Sequence, residues 1–129
     1  MATIKRFEDL EIWQLARILS NDIYQIIENS ALKSNFRLSN QIDGASGSIM
    51  DNIAEGFERN GNKEFIQFLS IAKASCGETR SQLYRILDRG FISEEEFIKL
   101  KNQTEILSKK INTFINYLIN SNLKGIKYK

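Results

Sequence analysis

Not one proline occurs in the 129 residues, where average usage would supply about six. Proline removes a helical amide hydrogen and its ring clashes with the preceding turn, so long unbroken helices select against it. A chain without it is free to be helical almost from end to end. The apolar residues repeat accordingly. Trp13, Ala16, Leu19, Ile23 and Ile26 recur at three- and four-residue steps, the stripe of a helix over about 8–29. A second, about 39–60, carries Ile42, Ala45, Ile49, Ile53 and Phe57, and stops at Asn60-Gly61-Asn62. A third, about 63–89, takes Asn62 as N-cap, buries Phe65, Leu69, Ala72, Cys76, Leu83 and Leu87, and ends at Gly90. The fourth, about 94–121, begins with the sharpest signal. Ser93-Glu94-Glu95-Glu96 reads as a capping box, with Ile92 and Phe97 at the positions of a hydrophobic staple. Phe97, Leu100, Leu107, Ile111, Phe114 and Leu118 follow as its stripe.

Short connections between long helices favour antiparallel neighbours. The sequence therefore predicts one all-α domain, residues 1–129, folded as an antiparallel up-down four-helix bundle. Gly44-Ala45-Ser46-Gly47-Ser48 lies inside the second helix, where each glycine costs about 1 kcal/mol against alanine. Close approach of a neighbouring helix backbone is the expected compensation, with a local kink at the glycine pair as the alternative.

The chain has no histidine, which removes the usual general base near neutral pH and the commonest transition-metal ligand. Bundle di-metal sites use Glu-x-x-His pairs, so Glu55 and Glu78 on adjacent helices do not suggest one. Cys76 is the single cysteine: it forms no disulfide within the chain and falls on an apolar stripe. No apolar run approaches the ~18 residues of a membrane span. The expectation is a cytoplasmic protein without cofactor, metal or membrane contact.

Ser48, Asn52, Glu55 and Arg59 follow one another at steps of four, three and four, on one polar stripe of the second helix. A serine nucleophile needs a strong neighbouring base, and none shares this stripe. A structural ladder is the better reading, pairing with the third helix through Glu78, Arg80 or Gln82, and no catalytic residue is assigned. Charge is divided: residues 1–60 hold 6 basic and 9 acidic side chains (−3), and residues 61–129 hold 12 and 7 (+5). In one copy the basic excess reads first as a solvated face; as candidate phosphate contacts it offers Arg80, Arg85, Arg89, Lys109 and Lys110, with further cations in the tail at Lys124, Lys127 and Lys129. A net charge of +2 is weak for one copy. Repeated around an oligomer, the same patch makes a field able to hold a polyanion. Apolar residues beyond one stripe per helix point to self-association: Ile12, Leu15, Ile18, Tyr24 and Ile27 on the first, and Ile106, Ile115 and Ile119 on the fourth.

Several segments resemble a known family. Phe7-Glu8-Asp9-Leu10-Glu11-Ile12-Trp13-Gln14-Leu15-Ala16-Arg17 is similar to the opening signature of the bacterial four-helix-bundle proteins named for intervening sequences in 23S ribosomal RNA genes. Leu38-Ser39-Asn40-Gln41-Ile42, the run from Ser48 to Arg59, the run from Phe65 to Ser75 and Glu78-Thr79-Arg80-Ser81-Gln82-Leu83 resemble its later motifs in order. The resemblance implies a homopentameric ring. It also implies an association with RNA or with a reverse-transcriptase-like protein, as in the similar accessory protein of diversity-generating retroelements. Asp43-Gly44 stands where many relatives carry basic residues, Met50-Asp51 replaces a common proline-containing pair, and Ala74 takes a usual glycine position. The acidic change moves the expected nucleic-acid contacts to the third and fourth helices.

Overall fold

The structure, a computed structural model, describes residues 4–123. Lys124, Lys127 and Lys129 lie outside the described residues. Four α-helices make up the fold: α1 (Glu11–Glu28), α2 (Phe36–Glu58), α3 (Asn62–Asp88) and α4 (Glu94–Leu123). There is no strand among the described residues, and no helix there is long and apolar enough to cross a membrane.

Cross-helix contacts fix the directions. Ser48 meets Ser75 and Gln41 meets Arg85, so α2 and α3 run antiparallel. Asn62 reaches Leu118 while Tyr84 packs edge-on against Phe97, which reverses α4 against α3. Asp22 meets Gln103 and Glu11 meets Lys110, which reverses α4 against α1 as well.

Helix ends follow local chemistry, and here the observed bounds differ from the predicted ones. α1 starts at Glu11 rather than near Glu8, because Phe7–Asp9 form a separate 3-10 turn closed by the Arg6–Asp9 ion pair. Leu10 is extended after it (φ −78°, ψ 127°), which resets the chain direction. α2 starts at Phe36, three residues before the predicted Ser39, since Asn35 caps it by accepting from the Leu38 amide. Asn62 is not the cap of α3. Gly61 holds that place, and Asn62 is the first helical residue, with its side chain buried and donating toward the Leu118 carbonyl of α4. Gly90 (φ 78°) ends α3 in a Schellman arrangement, the Phe91 amide bonding Ile86 O and the Gly90 amide bonding Leu87 O. α4 opens on the expected capping box: Glu96 N–H donates to Ser93 Oγ and Ser93 N–H to Glu96 Oε1.

The core runs the length of the bundle. The buried stripe of α1 is Ile12, Ala16, Leu19, Ile23 and Ile27, flanked by half-buried Trp13 and Ile26. Ile12, Ile27 and Ile115 are therefore core rather than surplus. Ile18, Tyr24, Ile106 and Ile119 stay exposed. On α3 Ile86 is buried where Leu87 was expected, and Leu87 packs at the edge.

The glycine expectation fails. A Cβ built on Gly44 or Gly47 meets nothing within 4 Å, so no helix of this chain approaches them. Close approach occurs at Gly56 instead, where an added Cβ would lie 2.6 Å from Phe68 Cβ.

Candidate functional site

The polar stripe of α2 divides into two pairs. Ser48 Oγ shares a hydrogen bond with Ser75 Oγ of α3 (3.0 Å) and accepts one from Asn52 Nδ2 (2.9 Å). Glu55 accepts from Arg59 Nη2 at 2.9 Å, an exposed i,i+4 ion pair on the same helix. The cross-helix link therefore runs through Ser75, which the sequence reading missed. Glu78, Arg80 and Gln82 do not complete the ladder: Gln82 donates to Glu78 within α3, and Arg80 turns to α4. Two short hydroxyls meet directly across α2 and α3 at this point. Ser48, held between Ser75 and Asn52, has no base beside it.

Cys76 is buried beside this link, and burial pushes its thiol up to about 12 despite the nearby Arg80 and Lys73. It is therefore a neutral hydrophobe at ordinary pH. No group of three or more metal-ligating side chains exists among the described residues.

The five predicted phosphate contacts do not share one surface. Arg85 Nη1 donates to Gln41 Oε1 (3.1 Å), on the α2 side of α3, and Arg89, one turn on, forms the C-cap there. Lys110 lies on the α1 side of α4, paired to Glu11 at 3.3 Å. Only Arg80 and Lys109 come together. They line an open groove of about 650 Å³ between α3 and α4, with Lys73, Glu105, Ser108, Asn112 and Thr113.

This groove gathers basic side chains from two helices. Lys73 and Arg80, two helical turns apart, edge it from α3, and Lys109 faces them from α4. Glu105 is its one carboxylate, held by Lys101 at 3.1 Å and by Arg80 at 3.9 Å, so its charge is offset inside the site. Ser108, Asn112 and Thr113 add short polar groups along α4. Three cations over two turns, interleaved with hydroxyl and amide groups, suit a row of phosphate oxygens better than a compact substrate. Lys73 was not singled out in the sequence; its seven-residue spacing from Arg80 was the available signal.

Comparison with known proteins agrees with this helical architecture. The model of the 23S rRNA-intervening sequence protein family matches residues 8–113. The crystal structure of a protein of unknown function from the S23 ribosomal protein family of Bacteroides thetaiotaomicron is similar, with a TM-score of 0.73 and 23% identity. The likeness covers 81% of this chain and 97% of that one, and at this identity it is a likeness of fold. No curated protein matches the sequence.

Proposed function

Since the chain belongs to the 23S rRNA-intervening sequence protein family, we propose that it is a non-enzymatic, self-assembling helical protein that binds the RNA backbone. The α3–α4 groove is the binding surface in this reading, and ring assembly, with five copies as the family resemblance implies, repeats it. The carrying observation is the convergence of Lys73, Arg80 and Lys109 on one open groove around an offset Glu105. A net charge of +2 gives one copy little long-range pull on an anion, so repetition supplies the field. The non-enzymatic part is supported by a sequence without histidine and by the engagement of Ser48 Oγ with Ser75 and Asn52.

Binding of single-stranded RNA across a salt series tests this. Three phosphate contacts give a log–log slope of about −2, or roughly 20-fold weaker binding between 50 and 200 mM salt per copy engaged. Lys73→Glu with Lys109→Glu should abolish binding without changing the assembled mass. Salt-independent binding, or full binding by that double variant, overturns the reading. A protein-interaction module without nucleic acid is the competing reading, favoured by the acceptors that Arg80, Arg85 and Lys110 already hold. It predicts no RNA retention at any salt concentration.

A further inference from the structure

We propose that the α3–α4 groove selects RNA over DNA, the Glu105 carboxylate accepting a hydrogen bond from a ribose 2′-hydroxyl of the bound strand. The inference rests on the RNA-binding reading above and gives the one acid of that groove a part in it.

A carboxylate is the wrong group for a surface that touches phosphates alone. Carboxylate and phosphate oxygens are both acceptors with no proton to share, and their like charges repel. Glu105 nevertheless lines the groove with Lys73, Arg80 and Lys109. Its ion pair with Arg80 does not account for it: the two side chains are 37% and 39% exposed and stand 3.9 Å apart, a geometry that adds little stability. Lys101 Nζ, one turn earlier on α4, donates to Glu105 Oε2 at 3.1 Å. Both cations approach Oε2, and among the described residues no hydrogen bond reaches Oε1. One carboxylate oxygen is held in place, and the other is open to a donor from a ligand.

An RNA strand supplies that donor. Along a sugar–phosphate backbone the phosphate and ether oxygens only accept, and the ribose 2′-hydroxyl is the group that donates. DNA lacks it. Against a DNA backbone Glu105 meets acceptors alone and stays unpaired beside phosphate charge. The same side chain therefore favours one nucleic acid and disfavours the other.

The rest of the groove repeats the pattern. Ser108 and Asn112 follow Glu105 at steps of three and four, which sets the three on one face of α4, and all three line the groove. Among the described residues no hydrogen bond occupies the Ser108 hydroxyl or the Asn112 side-chain amide. Arg80 is level with Glu105. Because α3 and α4 run antiparallel, Lys73, seven residues before Arg80, comes level with Asn112, about 10 Å along the groove. Lys109 stands between those levels on α4. Cations thus alternate with short polar groups along the groove, as phosphates alternate with sugar hydroxyls along RNA.

Binding of three single strands at one low salt concentration tests the selection: a uridine oligonucleotide, its deoxyuridine counterpart and its 2′-fluoro counterpart. The fluoro strand keeps an RNA-like sugar but has no hydroxyl proton to give. Wild-type protein should prefer the uridine strand to both others by about tenfold, the factor supplied by one hydrogen bond to a charged acceptor. Glu105→Ala should keep full helicity, being an exposed helical position, and should bind the uridine and deoxyuridine strands equally. Equal binding of those two strands by wild type overturns the selection, and so does a fluoro strand that binds as tightly as uridine. An alanine variant that gains affinity for both strands and keeps the wild-type preference also overturns it, because Glu105 would then act through charge alone. In each of these cases salt-dependent binding leaves the backbone-binding reading standing. Failure of wild type to bind any of the three strands overturns that reading as well.

Discussion

A methyl group at Gly56 would lie 2.6 Å from Phe68 Cβ and 3.0 Å from Phe65 Cδ1, two atoms held close to the α3 backbone. Gly56→Ala should therefore destabilise the fold by about 1–3 kcal/mol, overpacking outweighing the helix-propensity gain. Gly44→Ala, in open space, should raise stability by roughly 0.5–1 kcal/mol. Urea unfolding midpoints of the two variants check both signs. The sequence shows the cost of a helical glycine but not what faces it, which is why Gly44 and Gly47 were misread and Gly56 passed over. Cys76 carries a pH signature. Its folded thiol holds the proton to about 12, while an unfolded thiol releases it near 8.5. The stability from the neutral thiol is complete below the unfolded value and is lost as pH rises from roughly 9 toward 12. Cys76→Ala should remove that part of the alkaline loss, seen by comparing unfolding free energies of the two proteins at pH 8 and pH 11.

Helix ends were legible where one residue controls the backbone and illegible where two compete. Ser93 with Glu96, and Gly90 at φ 78°, have one role each and appear as read. Ser93→Ala should cost about 1 kcal/mol and lower the thermal midpoint, whereas Ser70→Ala on the exposed face of α3 should change it little. Asn35 and Ser39 both resemble caps. Asn35 takes that role, and Ser39 donates to the Phe36 carbonyl inside α2. The α1 stripe slipped for a related reason. Trp13 and Ile26 border the stripe that includes Ile12 and Ile27, and only the placement of α2 and α4 decides which set is innermost. Trp13 instead packs edge-on against Phe7, anchoring the 3-10 turn ahead of α1.

At the scale of the molecule, helix number and class were readable because periodicity and stops are local, while the basic site was not. Arg80 and Arg85 are five residues apart, yet they point to α4 and to α2 respectively. Counting cations along a chain cannot separate faces that a single helix presents to two neighbours. The separation predicts unequal mutants: Lys109→Glu should weaken RNA retention strongly, and Arg89→Glu, outside the groove, should change it only slightly. Retention by a filter-bound RNA series at fixed salt distinguishes them. The corner between α2 and α3 reaches further. Three residues, Arg59 to Gly61, turn the chain there, with Asn60 left-handed at φ 61°. Neighbours in sequence are thus neighbours in space, and the entropy lost in closing that loop is small. The central hairpin can zip on its own during synthesis, while the seam between α1 and α4 must wait for the last helix to leave the ribosome. With no X–Pro bond to isomerise, refolding should finish without a slow phase of tens of seconds.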